Sequence, residues 1–366
     1  MEVYDVAIIG TSPACVLEMA LLKKQGLKTI MIDQSTEIGG SWGTIDIPIL
    51  GRVESGAHYL GPDSVLYDLF EKVIGVKMEI VENPKYFFPR RVFGRTYSPW
   101  LNRWGSGVAP ANEGLPTSIR TFRNLVSPYY RCLKETLNHL GAKKFPMKYF
   151  FNGTIGLVDR LAKFIENEKL QTMMKTSVTS VEVYTSTNTV VLKTSKGDVS
   201  TKKFILTSCA KLNEIFVDGK EMFLPMVFRP LVQLHLVVKG PRVERLSFGQ
   251  FSSSPNLLLA TNLTPYLDKE FKNDGYSLLA NLVLETHPQT DETVNKIIEE
   301  HKYHGSLSEE HILIYANWKQ YDVPQLQDDE LQEIEIKFSP HVGVLPTHSL
   351  GGERAIRWWN ALQPLQ

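Results

Sequence analysis

The chain has little cysteine: three residues, Cys15, Cys132 and Cys209, spread over 366 positions. Their separation offers neither a disulfide framework nor a metal-ligand spacing, so no metal site is expected. Thiols used this sparingly fit a reducing, cytosolic setting. Neither sign of charge is in surplus, since 40 Lys and Arg face 40 Asp and Glu. That balance argues against a polyelectrolyte partner such as nucleic acid. No apolar run reaches the length of a transmembrane helix. The N-terminus lacks a charged n-region and a cleavage site, so the sequons at Asn152 and Asn262 carry no weight. No internal repeat or low-complexity tract occurs. What remains is a globular chain, 43% apolar, long enough for two cores or one core with a large insertion.

The richest stretch is the first forty residues. Val3 to Ile9 is a short apolar run ending at Gly10, the pattern of a buried parallel strand. Pro13 opens a helical segment running to about Gln25, with Gly26 as its stop. Lys28 to Ile32 is a second strand, ending in Asp33. Asp33 follows Gly10 by roughly 20 residues, the spacing at which an acid meets ribose hydroxyls in a dinucleotide fold. The diphosphate would sit on the helix N-terminus, where free N–H groups and the dipole favour negative charge. The fingerprint is incomplete. Gly10-Thr11-Ser12-Pro13-Ala14-Cys15 keeps only its first glycine. Ser12 is small enough for phosphate to approach, with Pro13 and Ala14 in the first turn beneath it, but Cys15 is bulkier than the usual third glycine.

Two later motifs strengthen the reading: Glu37-Ile38-Gly39-Gly40-Ser41-Trp42 and Glu54-Ser55-Gly56-Ala57-His58-Tyr59. With these, the chain resembles the flavoprotein superfamily of amine oxidases, protoporphyrinogen oxidase and UDP-galactopyranose mutase. The resemblance implies FAD rather than NAD. It implies an α/β fold: a Rossmann-like FAD-binding domain, amine-oxidase-like and of glutathione-reductase type, with an inserted α+β substrate domain. It places Gly39, Gly40, Ser41 and Trp42 close to FAD, and Gly56, Ala57 and His58 along the flavin ring. It gives Val178 the backbone contact to adenine. It sets Gly351 and Gly352 at a turn and helix that meet the ribityl chain or the pyrimidine edge. The acid that usually contacts the ribityl chain has no clear equivalent here.

The rest of the chain divides accordingly. Residues 64–74 are helical in period and stop at Gly75; residues 119–140 look helical up to Gly141. A helix over Leu157–Asn167 is followed by β-type runs at 171–183, 189–195 and 200–207. Further β-type runs fall at 225–239 and 250–315, and a last helix at Glu353–Leu362. The expected FAD-binding domain is discontinuous, 1–75, 150–225 and 315–366, with 76–149 and 226–314 forming the substrate domain.

Candidate chemistry is sparse, as suits an enzyme whose cofactor carries the reaction. His58 is either a packed or surface histidine or, by the resemblance, an imidazole near the flavin. Trp318 and Tyr321 fall where oxidases supply aromatics facing the flavin, though core packing serves equally. Arg91, Arg95 and Tyr97, in an arginine- and aromatic-rich stretch, are either a solvated face or a pocket for an anionic, ring-containing substrate. The function implied is an FAD-dependent oxidoreductase taking a hydride equivalent from a small organic substrate at flavin N5. The rivals are a flavin-dependent isomerase like UDP-galactopyranose mutase and a non-catalytic protein that retains the fold. The oligomeric state is not written in these features.

Overall fold

Two β-sheets share out the apolar residues. In the computed structural model, residues 2–56, 65–81, 86–87, 90–92, 95–97, 100–101, 147–207, 212, 214–222, 228–243, 248–250, 257–283, 287–303, 305–324, 340–345 and 353–362 are described. The first sheet has nine strands among the described residues. Its parallel heart is Gln171–Met173, Thr29–Ile32, Val3–Ile9 and Val199–Thr207, in that spatial order. The run Ala7, Ile8, Ile30, Met31, Ile32 is buried on both faces, which is why these strands read as unbroken apolar runs. An antiparallel meander, Thr189–Thr194 and Val178–Tyr184, continues the sheet on the far side of Val199–Thr207. Along Phe204 to Thr207 that neighbour is replaced by the late strand Val342–Leu345, in parallel register.

The helix Pro13–Lys24 starts with Pro at a tolerated position and is buried from Pro13 through Leu21. It has no exposed stripe because it lies between the sheet and the C-terminal helix Glu353–Leu362. Helix Gly153–Asn167 is amphipathic, burying Leu157, Val158, Leu161 and Ile165. Residues 65–74 begin as an α-turn, Val65–Asp68, and continue as a π-helical stretch, Leu69–Ile74, ending at Gly75 with φ +77°. The helix expected over 119–140 lies outside the described residues.

The β-type run expected at 171–183 is broken. It forms two strands because residues 175 and 176 turn back to the end of Thr29–Ile32. Lys175 adopts φ +54°, its N–H reaching Ser35 O at 3.0 Å, while the Thr176 N–H reaches Asp33 O at 2.9 Å. Within the expected β-rich region 250–315, residues Asp291–Tyr303 form a helix instead. The buried Val294, Ile297, Ile298 and His301 recur at helical spacing there.

The second sheet has seven strands among the described residues, with Ile312–Pro324 at one edge and Phe228–Lys239 beside it. Ile312–Pro324 belongs wholly to this sheet, running through the boundary expected at 315. One face, with Leu234, Leu236 and Val238, packs under helix Asp291–Tyr303. The other, with Val237, Leu278 and Ala280, packs on Ile47, Leu50 and Val53 from the first part of the chain. No helix among the described residues is long and apolar enough to cross a membrane.

The two ends of the chain are clamped by one buried acid. Glu18, 4% exposed, accepts from Arg357 Nη2 at 2.8 Å and from Trp358 Nε1 at 2.6 Å. Replacing Glu18 by Ala leaves the buried Trp358 N–H without an acceptor. The expected outcome is a loss of about 1–3 kcal/mol, read as a lower urea midpoint at unchanged slope. An unchanged midpoint would show that the clamp adds nothing.

Candidate functional site

The first strand ends at Gly10, whose N–H donates to Ile32 O at 2.8 Å. Gly10 has φ +119°, and a Cβ there would come within 3.0 Å of the Thr207 side chain. Only glycine turns the chain so tightly at this point. Ser12 is the N-cap residue of the following helix, but its side chain makes no capping bond. It pairs instead with Cys15 Sγ at 3.3 Å. The first-turn N–H groups are therefore left for an external acceptor. Cys15 fits in place of a glycine because it points inward, fully buried, 3.4 Å from where a Cβ on Gly10 would lie. Burial pushes its thiol up to about 12, so it is an inert packing group.

Asp33 stands at the end of the second strand, 9% exposed. The Thr11 hydroxyl donates to its Oδ2 at 2.6 Å and the Ser35 N–H to its Oδ1 at 2.8 Å. Val178 begins its strand two residues after Thr176, which binds the Asp33 carbonyl, so the two candidate nucleotide contacts lie close together. The Gly39–Gly40 turn sits directly on the Gly10–Ser12 turn. Gly39 N–H donates to Thr11 O at 3.0 Å, and a Cβ on Gly40 would stand 3.4 Å from the Ser12 backbone. Ser41 is exposed. Trp42 turns the other way, into the core, with ring centroids 6.1 Å from both Phe70 and Phe150.

The second motif is held by its own first two residues. Glu54 is buried and accepts from Tyr149 O–H at 2.7 Å and from Thr154 N–H, at the start of helix Gly153–Asn167, at 2.6 Å. Burial pushes its carboxyl up to about 8, against these two hydrogen bonds. Ser55 Oγ donates to Gly43 O at 2.7 Å. The Ser55 carbonyl accepts from His235 Nε2 at 2.9 Å and, at 3.5 Å, from Tyr321 O–H. Gly56 lies against Gln233, whose Nε2 is 3.0 Å from the position of a Cβ.

Gln233, His235, Lys319 and Tyr321 thus form one polar face of the second sheet, turned toward Ser55 and Gly56. His235 is fully buried and held down to about 4, chiefly by burial, so the imidazole is neutral. Burial raises Tyr321 to about 12. Trp318 and Tyr321 are three residues apart and lie on opposite faces. Trp318 packs with Leu234 and Leu236 on the side away from Ser55. Ala57, His58, Gly351 and Gly352 lie outside the described residues. Arg91, Arg95 and Tyr97 fall on a two-stranded antiparallel pair, and the substrate role expected of them rests on side chains outside the described structure. Sequence reasoning passed over Thr11, Glu54, Gln233 and His235. For the last two a signal existed: polar residues alternating within the apolar run Leu231–Val238.

No family profile matches the chain, and no curated protein matches it in sequence. Solved structures do. A double mutant of putrescine oxidase shares 13% identity and a TM-score of 0.64, covering 99% of this chain and 97% of the other. A putative protoporphyrinogen oxidase from Exiguobacterium shares 12% identity and a TM-score of 0.65, over 99% and 98%. RAB GDI from Plasmodium falciparum shares 12% identity and a TM-score of 0.55, over 99% and 97%. The chain shares the α/β fold of these structures, as the resemblance implied.

Glu54 gives this site a signature in stability. In the fold its carboxyl holds the proton to a higher pH than an ordinary carboxyl does, so the unfolded chain loses this proton first as pH rises. The contribution is whole below about pH 4 and is lost on passing to about pH 8. His235, neutral in the fold, opposes this slope only near pH 6.5, where the imidazole of the unfolded chain still holds part of a proton, and adds almost none by about pH 8. Urea midpoints of the wild type should fall across that interval, and Glu54→Gln should flatten the fall. Equal slopes in the two proteins would remove Glu54 as its source.

Proposed function

We propose that this chain binds FAD and acts as an FAD-dependent oxidoreductase on a small organic substrate. The observation that carries the reading is the seating of the Gly39–Gly40 turn on the Gly10–Ser12 turn, beside an acid at the end of the second strand. The residues fit the group: an uncapped helix N-terminus for the diphosphate, and Asp33 for ribose hydroxyls. The exposed Ser41 follows directly on the Gly39–Gly40 turn. Pro13 and Ala14 line the first helical turn, and Val178 offers its backbone to the adenine. Gly351 and Gly352 belong to the reading as its C-terminal contact. When bound, the flavin supplies the redox chemistry, accepting a hydride equivalent at N5.

The chain's own part is to bind, orient and exclude water. Gly56, with Ala57 and His58 after it, runs beside the ring in this reading. The Ser55 carbonyl, fixed by His235 and Tyr321, sets where that segment lies. Tyr321 closes the cleft from the sheet side with a neutral hydroxyl. Trp318 has no part at the ring, being a core residue of the opposite face. Arg91, Arg95 and Tyr97 stay with the substrate side.

A second reading is a non-catalytic protein on the same fold. The similarity to RAB GDI favours it, as do the two replaced glycines of the turn. An absorbance spectrum and mass identification of the co-purifying molecule decide between the two. The expected result is a yellow protein with one bound FAD, bleached by its substrate without added reductant. A need for prior reduction by dithionite, with no net redox change, would point to an isomerase instead. A colourless protein that takes up no added FAD would defeat both enzyme readings. Asp33→Ala should weaken FAD binding roughly ten- to a hundredfold by removing charge-assisted hydrogen bonds; undiminished affinity would cancel the role of Asp33.

A further inference from the structure

One cation on the polar face, Lys319, makes no ion pair among the described residues. Lys319 lies in strand Ile312–Pro324, paired in register with Gln233, and half of it is withdrawn from water. The acid whose charge reaches it is Glu37. That carboxylate is already engaged, by the Arg52 guanidinium and by the Thr44 hydroxyl at 2.6 Å. Among the described residues no carboxylate comes within ion-pair distance of Lys319. Its Nζ stands over the Tyr321 ring, 4.9 Å from the centroid. Beside it is a neutral donor, the Gln233 side-chain amide, which reaches to Gly56. His235, also on this face, spends its Nε2 N–H on the Ser55 carbonyl.

The remaining titratable neighbours do not balance the charge. His235 is neutral, and Lys319 itself helps to hold it so. The Tyr321 hydroxyl keeps its proton. An ammonium drawn out of water without a partner costs free energy that an anionic ligand would offset. We propose that Lys319, with the Gln233 amide beside it, receives an anionic group, a carboxylate or phosphate, of a small ligand bound against Ser55 and Gly56. This deepens the proposed function by naming the substrate class of the same cleft. Cationic diamines meet like charge there, so a substrate such as the putrescine bound by one neighbour is disfavoured.

The test is calorimetry with benzoate, succinate and inorganic phosphate on the purified chain, with and without added FAD. At least one anion should bind, and putrescine should not. Lys319→Met should weaken that anion tenfold or more, and Lys319→Arg should retain it within a few-fold. Neither variant should alter FAD affinity. Removing a half-buried cation leaves the fold intact, which circular dichroism verifies, and Lys319→Gln serves as a second neutral variant. The proposal is overturned if no anion binds the wild type or if the neutral variants bind it equally well. It is overturned too if the loss falls on FAD, since the charge then serves the cofactor's own diphosphate. A chain that takes up no FAD defeats the proposed function alone, because anion binding by the cofactor-free protein still decides the role of Lys319.

Discussion

Everything at the cleft depends on how one serine is held. Ser55 donates its hydroxyl to Gly43, just past the Gly39–Gly40 turn, and gives its carbonyl to His235 and Tyr321 on the second sheet. The residue before it, Glu54, binds the first turn of helix Gly153–Asn167 and Tyr149. Two consecutive residues therefore join the segment after the Gly39–Gly40 turn, a long helix and the second sheet. Each bond contributes only about 1 kcal/mol. Their value lies in direction. A trans peptide sets C=O and N–H on opposite sides, so a Ser55 carbonyl fixed on the sheet turns the Gly56 N–H away from it. The close approach of Gln233 then explains why residue 56 has no side chain.

The same economy explains how the turn tolerates two missing glycines. A dinucleotide turn needs open N–H groups, a close helix–strand approach and an acid beyond the second strand. Here Gly10 alone supplies the tight turn. Cys15 replaces a glycine by pointing into the core, and Ser12 bonds to Cys15 rather than capping the helix. Thr11 takes up a further task, orienting Asp33 through a buried hydroxyl.

Period and punctuation made most of this legible in the sequence. The first strand, the helix after Pro13 and the helix Glu353–Leu362 follow from apolar spacing and stop signals. Long-range demands hid the rest. The break near residue 175 arises because the backbone turns to satisfy Asp33 and Ser35, a requirement invisible in a local window. Helix Asp291–Tyr303 lay within a region dominated by strands, where its own period was outvoted. Tyr321 and Trp318 were legible as aromatics but not as opposites, although alternation along a strand separates residues three apart. His235 was concealed because a histidine in an apolar run reads as core until the facing segment is known.

The superfamily fold alone does not choose between an enzyme and a binding protein, since the chain superposes on oxidases and on RAB GDI alike. What distinguishes this chain must lie on surfaces the fold leaves free to vary. The polar face of the second sheet is such a surface. Its apolar side is committed to packing under a helix, so its residues answer to volume. The side facing Ser55 answers to hydrogen bonding and charge instead. There burial keeps His235 and Tyr321 neutral, while Lys319 supplies the charge that reaches the cleft from this face. On a face partly withdrawn from water, a charge with no ion pair among the described residues discriminates among ligands more sharply than it would in open solvent. In the proposed reading, selectivity therefore rests on the sheet floor, and the Gly10–Ser12 turn sets only where a cofactor lies.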